Sequence, residues 1–69
     1  MKITFQLNGE PHQIEAGAGL AELLQSLNLR SRERLAVEIN ERVIPKADYA
    51  QTVLREGDRV EIIHFVGGG

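Results

Sequence analysis

The chain contains no cysteine and no tryptophan. Without thiols it has no disulfides, no thiolate-held metal or iron–sulfur cluster and no cysteine nucleophile. It also lacks an excess of either charge: eight Lys and Arg stand against ten Asp and Glu, a net of −2. A general binder of nucleic acid or of acidic membrane shows a basic excess, so neither partner is expected. No apolar run approaches the ~18 residues of a membrane span. The opening Met1-Lys2-Ile3-Thr4-Phe5 has no signal-peptide layout, so a cytoplasmic location is expected. Sixty-nine residues suffice for one domain, with 42% hydrophobic and 26% charged residues. A chain this short buries only about 60% of its unfolded surface, so nearly every aliphatic side chain is needed for the core.

Lys2-Ile3-Thr4-Phe5-Gln6-Leu7 alternates with Ile3, Phe5 and Leu7 on one face, the pattern of a half-buried strand. Asn8-Gly9 follows, a strong hairpin signal, because a type I′ turn needs positive φ at both central residues. The return strand runs from Glu10 to Glu15. It carries Pro11, which has no amide proton and belongs at a sheet edge. After Gly17-Ala18-Gly19 the period changes: Leu20, Leu23, Leu24 and Leu27 form one stripe of a helix over residues 20–27. Asn28 suits the left-handed position that ends it.

Leu35, Val37 and Ile39 alternate in a third strand, Asn40-Glu41 is a turn, and residues 42–44 form a fourth strand stopped by Pro45. Asp48 is expected to cap a helical turn over residues 49–54, before a turn at Arg55-Glu56-Gly57-Asp58. A last strand covers about residues 59–66. One leucine-striped helix covers one face of one sheet, and the most apolar strands, the first and last, pair at its centre. The expected fold class is therefore α+β: a β-grasp, with a mixed sheet of about five strands on one main helix. Residues 1–66 form that domain and residues 67–69 a flexible glycine tail.

Most chemistry-bearing patterns read as structural. His12 and His64 are far apart with no cysteine nearby, so no metal site is expected. Pairs such as Glu15 with Glu22, or Glu38 with Asp58, arise by chance in a chain with ten acids and imply no cleft. Gly17-Ala18-Gly19 lacks the continuation of a phosphate-binding loop and reads as a flexible approach to the helix. Arg30-Ser31-Arg32-Glu33-Arg34 is interrupted by an acid and has no interleaved aromatics, so it reads as a solvated helix exit. Tyr49 reads as a packing residue.

The end of the chain is different. Gly67, Gly68 and Gly69 directly follow an apolar strand, where they bury nothing and lose the most entropy on ordering. A frayed end would explain them structurally. Functionally, a side-chain-free tether can thread a narrow channel and present the α-carboxylate of Gly69. A carboxylate acylates only once its oxygen becomes a leaving group, as in an acyl-adenylate. No motif here binds ATP, so the activation belongs to a partner and this chain is its macromolecular substrate rather than an enzyme. If Val60 and Ile62 face the helix, Ile63 and Phe65 lie on the open face beside the tail, a candidate docking patch.

At this point the chain resembles the ubiquitin-like sulfur carriers, and among them the ThiS family of thiazole biosynthesis. The likeness is carried by the Met1-Lys2-Ile3-Thr4 strand with Asn8-Gly9, the leucine helix, Ala36-Val37-Glu38-Ile39-Asn40, Val43-Ile44-Pro45, residues 54–62 and Gly68-Gly69. The resemblance implies that an E1-like adenylyltransferase uses ATP and Mg to adenylate Gly69. Sulfur from a donor such as a cysteine desulfurase then yields a thiocarboxylate, which thiazole synthase uses to build the thiazole ring of thiamine. Gly67 and Gly68 would thread the partner's active site, no cofactor would be bound by the chain itself, and no proteolytic maturation would be needed. The alternatives are the molybdopterin synthase small subunit, another ubiquitin-like sulfur carrier or protein modifier, and a plain interaction module.

Overall fold

A computed structural model describes residues 1–29 and 34–65. Strand β1 (Lys2–Leu7) and strand β2 (Glu10–Glu15) form an antiparallel hairpin with Lys2 opposite Glu15 and Leu7 opposite Glu10. Asn8 and Gly9 join them at φ +50° and +85°, the left-handed geometry that the Asn-Gly pair predicts. The Ala16 amide donates to the Met1 carbonyl, and alternation along the ladder then leaves the nitrogen of Pro11 facing away from β1. That strand is an edge, so the missing donor disrupts nothing.

Helix α1 (Leu20–Ser26) buries Leu20, Leu23 and Leu24. Its end is a Schellman motif: the Asn28 amide donates to the Gln25 carbonyl at 3.0 Å and the Leu29 amide to the Leu24 carbonyl at 2.9 Å. Asn28 sits at φ +62°, and Leu29 packs against the core as the motif favours. Strand β3 (Leu35–Ile39) turns through Asn40 and Glu41 into β4 (Arg42–Val43), followed by a 3₁₀ helix (Lys46–Gln51) and β5 (Arg59–His64). The sheet order is β2-β1-β5-β3-β4, with β1 and β5 parallel and the other pairs antiparallel. The fold is therefore the mixed five-stranded β-grasp, with the first and last strands side by side at its centre.

The core joins Phe5, the α1 leucines, alternate residues of β3 and β5, Tyr49 and Leu54, and among the described residues no charged or polar side chain is buried. Several boundaries differ from expectation. The turn after β4 starts at Lys46 rather than at Asp48, and Pro45, with φ fixed at −62°, stands at its start. Its carbonyl accepts the Asp48 amide at 2.9 Å, so Asp48 lies inside the turn and does not cap it; Leu54 lies beyond it, in the core. Strand β4 stops at Val43, although Ile44 still donates to the Val37 carbonyl at 2.9 Å. Helix α1 ends one residue early, with Leu27 as its C-cap, and β5 ends at His64.

The Gly17-Ala18-Gly19 segment is also not the loose approach expected. Gly17 has φ +93°, and a Cβ on Gly19 would lie 2.8 Å from the Thr52 carbonyl oxygen. Leu20 donates to that same carbonyl at 2.8 Å, Leu54 donates to the Ala18 carbonyl, and the Gly19 amide donates to Glu22 Oε1 at 3.0 Å. Glycine is there for close backbone approach, which stitches the start of α1 to the chain after the 3₁₀ helix.

Candidate functional site

Strand β5 is placed by contacts along both of its edges. On the β1 side, Gln6 pairs with Arg59 and Leu7 with Val60, and the Asn8 amide donates to the Val60 carbonyl at 2.8 Å. The hairpin then turns away, but the Asn8 side chain continues the ladder. Its Oδ1 accepts the Ile62 amide at 2.8 Å, and its Nδ2 donates to the Ile62 carbonyl at 3.3 Å. On the β3 side, the Asn40 amide donates to the Arg59 carbonyl, Asn40 Oδ1 accepts the Arg59 amide and Asn40 Nδ2 donates to Asp58 Oδ1. Asp58 Oδ2 also accepts the Arg55 amide, and Glu56 Oε1 accepts the Thr4 amide. The Glu-Gly-Asp turn thus uses both of its acids to hold β5 in register.

Beyond Ile62, among the described residues, the strand is held on its β3 side only. Ile63 lies opposite Ala36, His64 opposite Leu35, and the Phe65 amide donates to the Arg34 carbonyl at 2.8 Å. Val60 and Ile62 are buried against the helix, whereas Ile63 and Phe65 face the other way, 48% and 54% exposed. Val43, 70% exposed, lies on the same open face. Gly67, Gly68 and Gly69 lie outside the described residues, as do Val66 and residues 30–33 of the basic cluster. Arg34 is exposed.

The remaining titratable groups among the described residues do not gather at one place. The His12 ring lies 5.4 Å from the Phe5 ring at 57°, and His64 is exposed on β5. Among the described residues no cluster of three or more His, Cys, Asp or Glu could hold a metal. Glu15 pairs with the N-terminal amine at 3.2 Å and Glu22 caps Gly19, so they do not act as a pair. Asp58 is taken up by the turn, and the residue opposite Glu38 is instead Glu61. Sequence reading missed that juxtaposition, because strand register between β3 and β5 leaves no local trace. An open cleft of about 530 Å³ runs between β2 and α1, past His12, Ile14 and Glu22, at the sheet edge opposite β4.

A chain of this size, with this sheet order and one main helix, defines the class of small ubiquitin-like β-grasp proteins. The ThiS family model matches residues 5–69, and the chain belongs to that family. It is 32% identical to the sulfur carrier protein ThiS of Escherichia coli over the full length of both chains. It superposes with a TM-score of 0.80 on the crystal structure of the thiamine biosynthesis protein ThiS from Geobacter metallireducens, at 30% identity, covering 97% of this chain and all of that one. It is also 48% identical over its whole length to part of a thiazole synthase of Magnetococcus marinus. The chain spans about a fifth of that thiazole synthase and of a second from Paramagnetospirillum magneticum. Among the described residues no helix is long and apolar enough to cross a membrane.

Proposed function

We propose that the chain is a cytoplasmic sulfur carrier for the thiazole ring of thiamine, with residues 1–66 as its β-grasp domain and residues 67–69 as the working tail. The Gly69 carboxylate attacks the α-phosphorus of Mg-ATP on an E1-like adenylyltransferase, and pyrophosphate leaves. The terminal sulfur of a persulfide, formed by a donor such as a cysteine desulfurase, then attacks the acyl carbon and AMP leaves. Cleavage of the resulting S–S bond by a thiol leaves a thiocarboxylate on Gly69, which passes its sulfur to thiazole synthase. The chain itself catalyses none of these steps and holds no cofactor; Gly67 and Gly68 give the tether the narrow cross-section an enclosed active site needs.

The observation that carries this reading is the family match, which runs through the terminal glycines. The thiazole synthases that contain a segment similar to the whole chain support the choice of acceptor. The exposed Ile63 and Phe65 support a docking role beside the tail.

The test starts with intact mass, to establish that Gly69 carries a free carboxylate in the protein as made. The chain is then incubated with ATP, Mg, the adenylating enzyme and a persulfide source, and treated with a thiol-selective reagent. With no cysteine present, any label reports acquired sulfur. Tandem mass spectrometry should place it on Gly69, and deleting Gly69 should abolish it with an unchanged melting curve. No label, with an enzyme proven on a known carrier, overturns the reading.

A further inference from the structure

The two asparagine turns that hold β5 differ in chemistry. The chain has three asparagines, Asn8, Asn28 and Asn40, and all three stand at positive φ. Only Asn8 is followed by glycine. Gly9 is exposed, with open space where a Cβ would stand, and among the described residues nothing accepts a hydrogen bond from its amide. Asn28 precedes Leu29, which packs against the core, and Asn40 precedes Glu41. At both, the next side chain crowds a nitrogen that after Asn8 stands bare.

We propose that Asn8 is a site of spontaneous covalent modification, and that the change releases β5 at Ile62. The Gly9 nitrogen, losing its proton to base, attacks the carboxamide carbon of Asn8, and Nδ2 leaves as ammonia. The product is a succinimide ring. Water opens it at either carbonyl, giving aspartate or isoaspartate, in which the main chain runs through the former side chain. In sum, one water is taken up and one ammonia released. No oxidant or cofactor takes part. The proposal goes beyond the sulfur-carrier reading and does not depend on the fate of Gly69.

The fold couples the reaction to its consequence. Asn8 Oδ1 accepts the Ile62 amide at 2.8 Å and Nδ2 donates to the Ile62 carbonyl at 3.3 Å, so the carboxamide is turned to β5. It must let go of Ile62 before it can close onto Gly9. The folded chain therefore reacts only during openings of this clasp. Afterwards Nδ2 is gone, and with it the donor to the Ile62 carbonyl. An aspartate there sets a carboxylate oxygen against that carbonyl, leaving the acceptor unpaired. An isoaspartate also adds a methylene to the main chain of a two-residue turn whose length fixes the hairpin register. Among the described residues, Ile62 is the last of β5 to be held on its β1 side, so the loosening falls next to the segment that leads into the tail.

The experiment incubates the full chain in mildly alkaline buffer, folded and in urea, and follows each asparagine by peptide mass spectrometry. Asn8 should gain one mass unit, with isoaspartate as the larger product. Fragmentation identifies it, as does the methyltransferase that esterifies the free α-carboxylate of isoaspartate. Asn28 and Asn40 should stay intact over the same period. The folded chain should react about tenfold or more slowly than the unfolded one, the factor that opening two hydrogen bonds supplies. Gly9→Ala should slow the reaction several-fold, although alanine at φ +85° strains the turn and opens it more often. The product, separated by its added charge, should melt at a lower temperature than the unreacted chain and exchange its Ile62 amide faster. Asn8→Asp, made directly, should show the same faster exchange. An Asn8 that stays intact overturns the proposal, as does equal reaction at Asn40 or equal rates in the folded and unfolded chain. So does a faster reaction in Gly9→Ala, or a product that melts with its parent.

Discussion

Strand β5 is two strands in one. Residues 59–62 are gripped along both edges, by β1 and the Asn8 amide on one side and by β3 and the Asn40 amide on the other. Among the described residues, residues 63–65 are held by β3 and Arg34 alone and turn their bulk to solvent. Each hairpin turn thus does two jobs, reversing the chain and clasping the first half of β5 with an asparagine side chain. The difference separates two tasks that a small domain has little room to combine. Stability is concentrated at the base of the tail, and the apolar surface nearest the tail is left unused by the fold.

Adjacent isoleucines give the sharpest test of this division. Ile62 and Ile63 are the same residue on opposite faces, 9% and 48% exposed. Ile62→Ala opens a cavity under α1 and should cost about 3 kcal/mol in urea unfolding, a large share of the stability of so small a domain. Ile63→Ala should cost less than about 1 kcal/mol, since half its surface is already wet. Binding to the adenylating enzyme should rank the folded variants the other way. Similar unfolding costs for the two would erase the distinction between the halves.

The clasp comes next in size. Asn8→Ala leaves the Ile62 amide and carbonyl without their partner and puts alanine at φ +50°, so a loss of about 2 kcal/mol is expected. Asn8→Gly removes the same hydrogen bonds but relieves the backbone, and should recover about 1 kcal/mol of it. If glycine restores full stability, the side-chain bridge contributes nothing and β5 is held by backbone pairing alone.

The fold was legible because its signals are local. Alternation in residues 2–7, the Asn-Gly turn and the leucine stripe each state their own geometry. The opposite faces of Val60 with Ile62 and of Ile63 with Phe65 followed from strand periodicity in the same way. What was not legible depends on contacts distant in sequence. Gly19 is glycine because the Thr52 carbonyl lies against it, and Asn8 reaches across 54 positions to Ile62. The pairing of Glu38 with Glu61 needs the register of strands separated by a turn, a 3₁₀ helix and a loop. The 3₁₀ helix itself is too short to show a period, and Asp48 was a more familiar start signal than Pro45.

The smallest effect expected is a gain, and it tests whether the second turn is as well suited to its clasp as the first. Asn40 and Glu41 stand at φ +53° and +70°, the same left-handed pair as Asn8 and Gly9, but with glutamate where the first turn has glycine. A glutamate held there costs about 1 kcal/mol in backbone strain. Its ionic contact with Arg59, at 3.8 Å, joins two exposed side chains and contributes little. Glycine relieves the strain but gives the unfolded chain more freedom, so Glu41→Gly should stabilise by only about 0.5 kcal/mol net. Glu41→Asn, which tolerates positive φ without that entropy, should gain at least as much. If both variants lose stability and high salt abolishes the loss, the Arg59 contact outweighs the strain, and the second clasp rests on charge as well as on the Asn40 amide.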